Sequence, residues 1–183
     1  MKKTVLTFGV ISGIVSSVLM LLTVRLLDRI GYDRGVIVGY TGIVLSFLLV
    51  FPGIRSYREN IGNGTISFAR AFAVGILITL ISCIFYVLTW EVVYFKLMPE
   101  FHDKFVNIMM EHIRNSGKSQ AEIAAELQEA KRFSEMYRNP FVNMAYTFIE
   151  PFPVGLLITL ISSVILRKKS KESGNAEAVT TAV

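Results

Sequence analysis

Four charged side chains beside long apolar runs are the residues best placed to do chemistry: Arg25, Arg29, Glu91 and Glu150. Charges at the edges of membrane-crossing helices are costly to bury and often functional. Two carboxylates at one depth could exchange protons as a general acid and a general base. No nucleophile, metal motif or substrate-pocket motif accompanies them. We therefore assign no catalytic residue and do not expect an enzyme.

The histidines and the single cysteine give no further chemistry. His102 and His112 are ten residues apart, which is not the i, i+4 spacing of two metal ligands on one helix. Cys83 is the only cysteine and lies inside an apolar run, so neither an intramolecular disulfide nor a cysteine metal cluster can form. The sequence thus predicts no metal site and no cofactor.

One apolar stretch occurs twice, at residues 74–83 and 154–163, with only two differences between the copies. Each copy is apolar enough to form the centre of a membrane span. Small residues allow helices to approach closely in lipid, so they mark helix-packing seams. The predicted seam residues are Gly75, Thr79, Ser82, Gly155, Thr159 and Ser162.

The pattern of apolar runs predicts an all-α integral membrane protein with one four-helix domain over residues 1–169. Spans are expected at about 4–27, 36–54, 68–94 and 141–166, each long enough to cross about 30 Å of hydrocarbon. The charged segment at about 97–138 has helical periodicity and is predicted to form an extramembrane helical hairpin. Residues 170–183 are small and polar and are predicted to be disordered.

Local signals fix several helix boundaries. Ser119 followed by Glu122 is a capping box for the second helix of the hairpin. Asn139, followed by a proline, is the expected start of the fourth span. Pro151 and Pro153 remove two backbone donors inside that span, which predicts a kink or break.

The basic residues predict the orientation. With both termini inside, nine basic and three acidic residues lie on the cytoplasmic side, and ten basic and eleven acidic residues lie outside. This topology accounts for the net charge of +5, so no basic patch remains to indicate nucleic-acid binding. The expected location is a bacterial inner membrane, whose anionic lipids the basic side can touch.

In this topology the four charged residues fall at similar depth. One hypothesis is an ion-pair cluster of Arg25, Arg29, Glu91 and Glu150 at the outer mouth of the bundle, with Glu150 aimed by the proline kink. The alternative is ordinary snorkelling of each charge to the interface. Tyr86, Trp90, Tyr94 and Phe95 are interpreted as an interfacial aromatic belt.

The order of several short motifs resembles an uncharacterised four-span bacterial inner-membrane family, domain of unknown function 4199. Tyr86 and Trp90 also fit that order. The motifs lie at residues 39–40, 53–58, 64–72, 148–156 and 166–169. The resemblance implies a multi-pass membrane protein and no established catalytic residue.

Two functional hypotheses remain open. The first is a non-enzymatic structural or interaction protein that presents the hairpin to a membrane-protein partner or to a second copy of itself. Its basis is the hairpin's apolar stripe, formed by Phe101, Phe105, Met109, Ile123 and Leu127. The second is a small transporter or transporter subunit, which predicts a polar cavity lined by Thr79, Thr159 and the neighbouring serines.

Overall fold

The computed structural model describes residues 1–168, except for the side chains of Asp28 and Asp33. The segment predicted to be disordered, 170–183, lies outside the described residues. The described chain confirms the predicted all-α fold. Its helices are α1 (Lys2–Ile30), α2 (Tyr32–Phe47), α3 (Val50–Asn60), α4 (Phe68–Val92), α5 (Phe101–Arg114), α6 (Gln120–Tyr137), α7 (Pro140–Ile149) and α8 (Phe152–Leu166).

Four helical segments are long and apolar enough to cross a membrane. They are span 1 (Lys2–Leu27), span 2 (Arg34–Asn60, in α2 and α3), span 3 (Phe68–Leu97, in α4 and a π-helical turn) and span 4 (Pro140–Leu166, in α7 and α8). Span 2 continues six residues beyond its expected end near residue 54, because the polar segment after it stays helical in α3. We call the end of the bundle that carries α5 and α6 the hairpin end, and the opposite end the termini end.

Spans 2 and 4 are each broken between their two helices. Pro52 has no N–H to donate to the Leu48 carbonyl. That carbonyl instead accepts a 3.2 Å hydrogen bond from the N–H of Phe51, three residues on, which tightens the turn. In span 4, α7 ends at Ile149 and α8 begins after Pro151, at the predicted kink. Each broken span therefore has one half-helix toward the hairpin end and one toward the termini end.

Spans 1 and 3 pack closely through glycine. A β-carbon on Gly9 would lie 2.9 Å from the Ile81 side chain, and one on Gly13 would lie 2.6 Å from the Phe85 ring. Only hydrogen fits at these two positions, so the GxxxG pair serves packing within the bundle.

The apolar core lies toward the termini end. Five of its side chains are at most 1% exposed: Phe47, Val50, Ile54, Val74 and Ile78. The backbones of Ile66 and Lys168 exchange hydrogen bonds of 3.0 and 2.9 Å below this core. The half of the bundle toward the termini end is therefore tightly packed, and we call it the closed half.

Side-chain caps set the helix starts that the sequence predicted. Ser119 accepts from the Glu122 N–H, and the Glu122 carboxylate accepts from the Ser119 N–H, which confirms the capping box of α6. Asn139 accepts a 3.0 Å bond from the Phe141 N–H at the start of α7. These caps hold α6 and α7 as two separate helices with a short turn between them.

Candidate functional site

The two copies of the repeated stretch meet in the closed half of the bundle. The hydroxyls of Thr79 and Thr159 are 3.0 Å apart, and both residues are fully buried. A β-carbon on Gly75 would lie 2.7 Å from Thr159 Cγ2, and one on Gly155 would lie 2.5 Å from Thr79 Cγ2. We call these four residues the threonine seam. Each glycine receives the threonine methyl of the opposite span, so the seam has no spare volume.

The two serines assigned to this seam behave differently. Ser82 is buried but receives a 3.0 Å bond from the Ser12 hydroxyl of span 1, so it belongs to the packing of span 3 on span 1. It lies three residues after Thr79, which turns it away from span 4 by about 60°. Ser162 is 4% exposed. The cavity described below is lined by none of Thr79, Ser82, Thr159 and Ser162, so the polar pathway expected from the transporter hypothesis is not formed there.

The expected charge cluster is not formed. Within the described part of the chain, no ion pair joins Arg25 or Arg29 to Glu91 or Glu150. Both arginines are exposed on the surface of α1, whereas the residues of α1 that face inward recur at 16, 20, 23 and 27. The sequence placed the four charges at similar depth, but the helical phase turns the arginines outward.

A cavity of about 430 Å³ lies in the hairpin half of the bundle. Helices α1, α2, α4 and α7 form its sides, and α5 and α6 contribute residues at the hairpin end. It separates α2 from α7, the two half-helices beyond the breaks in spans 2 and 4. Both half-helices that line the cavity thus end at a break in their span.

Aromatic rings form one wall of the cavity: Tyr86, Trp90, Tyr94, Phe133, Tyr137 and Tyr146. They hold one another in place. The Tyr94 and Tyr137 rings meet edge to face at 5.5 Å, and the Phe133 and Tyr146 rings do so at 5.2 Å and 90°. Because such pairs fix ring orientation as well as distance, the wall is preorganised.

Glu150 contributes the cavity's carboxylate. It terminates α7 at the proline break, and the Tyr86 hydroxyl donates a 3.2 Å hydrogen bond to its Oε2. Among the described residues that line the cavity, there is no other acidic residue and no lysine or arginine. Glu91 does not line the cavity, and its Oε1 is buried without a hydrogen-bond partner.

A histidine joins the hairpin to the bundle. His102 is only 8% exposed; its Nδ1 is 2.5 Å from the Tyr94 hydroxyl of span 3, and its Nε2 is 2.8 Å from the Ser134 hydroxyl of α6. Burial is the main cause that lowers the pKa of His102, and the nearby Arg138 guanidinium lowers it further. The neutral imidazole therefore holds α5, α6 and span 3 together.

The apolar stripe of the hairpin, on α5 and α6, is partly covered by the protein itself. The Phe101 ring meets Trp90 edge to face at 5.2 Å, and the Phe105 ring lies 5.6 Å from that of Tyr32. The other stripe residues, Met109, Ile123 and Leu127, are half-buried. Two residues of the stripe that was expected to meet a partner, Phe101 and Phe105, thus pack on the bundle itself.

Sequence reasoning placed Tyr86, Trp90 and Tyr94 at a membrane interface and missed the cavity. A signal was present, because these residues recur every four positions and so lie along one face of a helix. Tyr137 and Tyr146 complete the wall from α6 and α7. Their proximity depends on how the hairpin folds back, which the spacing along the chain does not reveal.

Comparison with known proteins gives a family and no functional relative. A family model described as "protein of unknown function (DUF4199)" matches residues 7–168 of this chain. No curated protein matches. No solved structure matches either.

Proposed function

The chain belongs to the DUF4199 family, and from this premise we propose that it is a non-enzymatic membrane protein that binds an amphipathic molecule in the cavity at its hairpin end. The observation that carries the proposal is the cavity itself. Its volume of about 430 Å³ lies within the range of roughly 300–1,000 Å³ typical of ligand pockets.

The cavity has the features of a built site. Protein interiors are close-packed, and voids much larger than a water molecule are few. Here two half-helices that end at the breaks near Pro52 and Pro151 line the space, together with rings that contact one another. An aromatic wall with one convergent carboxylate, that of Glu150, suits a ligand that is apolar along most of its length and polar at one end.

The non-enzymatic part of the proposal rests on the functional groups present. His102 and Ser134 are hydrogen-bonded as a base and a nucleophile would be. However, His102 Nδ1 faces the hydroxyl of Tyr94, where a catalytic triad has a carboxylate. Ser134 is not among the residues that line the cavity. The pair therefore supports a structural role in docking the hairpin.

The proposal includes a location and an orientation. Arg55, Arg58 and Arg70 lie toward the termini end, with Lys2 and Lys3 at the start of α1. An excess of basic residues favours the cytoplasmic side, so we place both termini inside a bacterial inner membrane and the hairpin outside. A membrane-impermeant maleimide should then label Ser116→Cys in intact cells and leave Asn60→Cys unlabelled; the reverse pattern would invert the orientation. Cys83 is buried, so background labelling is low.

The binding proposal is tested by filling the cavity. A β-carbon on Gly39 would lie 3.9 Å from Thr23 Cγ2, its nearest neighbour, so a side chain there can extend into the cavity without a clash at its base. Val38 is the adjacent residue of α2; it is 39% exposed and does not line the cavity. Gly39→Phe is therefore the test variant, and Val38→Phe is its matched control.

The measurement is photolabelling of the full chain in nonionic detergent micelles. Two diazirine-bearing C12 amphiphiles are used, one with an alcohol head and one with an ammonium head. We expect at least one of them to form adducts on the cavity wall, at residues such as Tyr137 and Tyr146. Gly39→Phe should remove these adducts, and Val38→Phe should retain them. Adducts confined to the lipid-facing surface, or unchanged in Gly39→Phe, would refute ligand binding in the cavity.

A transporter is the second candidate, and the observation that favours it is the pair of broken spans. Discontinuous helices flank the substrate sites of many transporters, and the breaks after Phe47 and Ile149 lie beside the cavity. Proteoliposomes would distinguish the two functions. A transporter moves a bound amphiphile across the bilayer in a way that Gly39→Phe blocks, whereas a binding protein does not accelerate its transfer.

A further inference from the structure

We propose that the ligand of this cavity is an organic cation, an amphiphile whose ammonium group lies between the Glu150 carboxylate and the aromatic wall. The inference rests on the proposed binding function and specifies its ligand class. Three features carry it: a carboxylate without an ion-pair partner, a wall of aromatic rings, and aliphatic side chains contributed by α1 and α2.

The first feature is the missing counter-charge. Glu150 lies within span 4 but is exposed at the cavity, so water can solvate its carboxylate when no ligand is bound. A carboxylate within a membrane span still favours a nearby positive charge. It takes part in none of the ion pairs within the described part of the chain, and no lysine or arginine is among the described residues lining its cavity. The Tyr86 hydroxyl is its one side-chain hydrogen-bond partner there. A cationic ligand supplies the charge that the protein lacks.

The second feature is the chemistry of the surrounding wall. Tyrosine and tryptophan faces attract cations through their ring quadrupoles, and several rings around one carboxylate form a cage for an ammonium group. Tyr86 binds Glu150 directly. The Tyr137 ring is centred 6.3 Å from that of Tyr146, which lies one helical turn before Glu150 on α7. The carboxylate therefore stands beside a set of rings that suits a cation.

The third feature separates the two ends of the ligand. Helices α1 and α2 add two tyrosines, Tyr32 and Tyr40, and six aliphatic side chains to the lining: Leu19, Met20, Val24, Leu27, Val36 and Ile43. Burial of an alkyl chain there is favourable at about 25 cal/mol per Å². The ammonium end thus belongs at Glu150 and the alkyl chain along α1 and α2.

Other ligand classes fit less well. An anion would meet the Glu150 carboxylate with no described lysine or arginine in the lining to balance it. A metal ion needs several oxygen, nitrogen or sulfur ligands, and no group of three such residues occurs within residues 1–168. A neutral amphiphile fits the volume but leaves the carboxylate without a counter-charge.

The test compares a cation with its neutral isostere. The probes are an alkyltrimethylammonium ion and the alkyl tert-butyl analogue, which has the same shape without the charge. Trp90 is the only tryptophan and lines the cavity, so its fluorescence reports binding to the full chain in nonionic micelles. We expect the cation to bind about 10-fold more tightly, which corresponds to roughly 1.4 kcal/mol of ion-pair and cation–π attraction.

Variants assign this preference to its groups. Glu150→Gln should abolish the preference for the cation, and Glu91→Gln, which removes a carboxylate outside the lining, should retain it. Tyr137→Leu should reduce the preference, and Tyr137→Phe, which keeps the ring face, should preserve it. Thermal unfolding of each variant identifies any that fails to fold, and the tyrosine pair tests the cage without touching Glu150.

The outcomes separate this inference from the proposed function. If Gly39→Phe blocks both probes and Glu150→Gln leaves the cation-to-isostere ratio unchanged, the cavity binds amphiphiles but Glu150 does not select cations, and the inference fails. If Gly39→Phe alters neither probe, the proposed function itself fails. An equal affinity of the wild-type chain for both probes would also overturn the inference.

The same chemistry can come from a lipid headgroup or from a water-soluble amine. Phosphatidylethanolamine added to the micelles should compete with the fluorescent signal if the ligand is a membrane lipid. Benzyltrimethylammonium, which partitions weakly into micelles, should compete if the ligand arrives from water. Competition by either compound supports the ammonium site and identifies the source of the ligand. If neither compound competes and Glu150→Gln leaves binding intact, the ammonium site is refuted.

Discussion

The threonine seam and the cavity lie on one face of span 3, but the seam is closely packed and the cavity is open. Thr79 and Tyr86 are seven residues apart, so they lie on nearly the same side of α4, about 10 Å apart along its axis. At Thr79 the face meets span 4 with no space left, and the two threonine hydroxyls bind each other. At Tyr86 the same face lines the cavity, and the Tyr86 hydroxyl donates a hydrogen bond to Glu150.

The comparison shows how residue size divides one helix pair into a closed half and an open half. Gly75 and Gly155 allow close approach at the seam. Beyond it, span 3 carries bulky rings, and α7 ends just before Pro151. Close packing holds the bundle together in the first half, whereas the second half contains the cavity.

The largest effect is expected from filling the seam. Gly155→Leu would force a side chain against Thr79 Cγ2 at 2.5 Å and the Phe47 ring at 2.9 Å. Overpacking of this kind should lower the free energy of unfolding by about 3 kcal/mol. The matched substitution Gly39→Leu places the same side chain in the cavity and should cost less than about 1 kcal/mol. Reversible unfolding in mixed micelles measures both, and equal losses would erase the distinction between the two halves.

The sequence predicted much of this fold because its signals are local. Apolar runs determined four spans, Ser119 and Asn139 determined helix starts, and Pro151 determined a break. The seam was predictable in part: small residues at matching positions indicated that Thr79 and Thr159 face a close neighbour.

The rest depended on angular position, which a run of apolar residues does not encode. Every direction around such a helix is apolar, so the run lengths placed Arg25 and Glu150 at a similar depth without a facing direction. Ser82 was predicted to face span 4 in the seam. It instead accepts a hydrogen bond from Ser12 of span 1, because α4 packs on two neighbours at once. The cavity was not predicted for the same reason, because its aromatic wall forms only when the hairpin brings Tyr137 back to span 3.

The second prediction concerns the hydrogen bond of the seam. Thr79→Val keeps the shape of the side chain and removes its hydroxyl from the partner 3.0 Å away on Thr159. Buried interhelical bonds in membranes contribute about 0.6 kcal/mol on average, so we expect a loss of about 1 kcal/mol from the single variant. The double variant with Thr159→Val should cost less than the sum of the singles. A strictly additive double-mutant cycle would show that the two hydroxyls do not interact.

The third prediction uses pH to loosen the open half alone. The lowered pKa of His102 means that the folded hairpin prefers the neutral imidazole. Between that pKa and the usual value near 6.5, the unfolded state binds more protons, so stability rises with pH. The contribution is complete above about pH 6.5 and is lost as the pH falls toward the lowered pKa.

Hydrogen exchange of α5 and α6 between about pH 7.5 and about pH 5.5, corrected for the intrinsic pH dependence of exchange, should report this opening. Protection of the threonine-seam helices should stay constant over the same range. His102→Gln should remove the pH dependence, and His112→Gln, at an exposed position on the same helix, should preserve it. Equal loss of protection in both halves would mean that they unfold together.

The smallest effect is expected from Tyr86→Phe, which removes a hydroxyl from the cavity and leaves the ring. The bond to Glu150 is 3.2 Å long and lies at the edge of a space large enough for water. Water can replace the lost donor, so unfolding free energy should fall by less than about 0.5 kcal/mol, compared with about 1 kcal/mol for Thr79→Val. The two variants remove one hydroxyl each from the same helix face. A loss from Tyr86→Phe as large as that from Thr79→Val would mean that water does not reach Glu150 and that the hairpin half is packed as tightly as the seam.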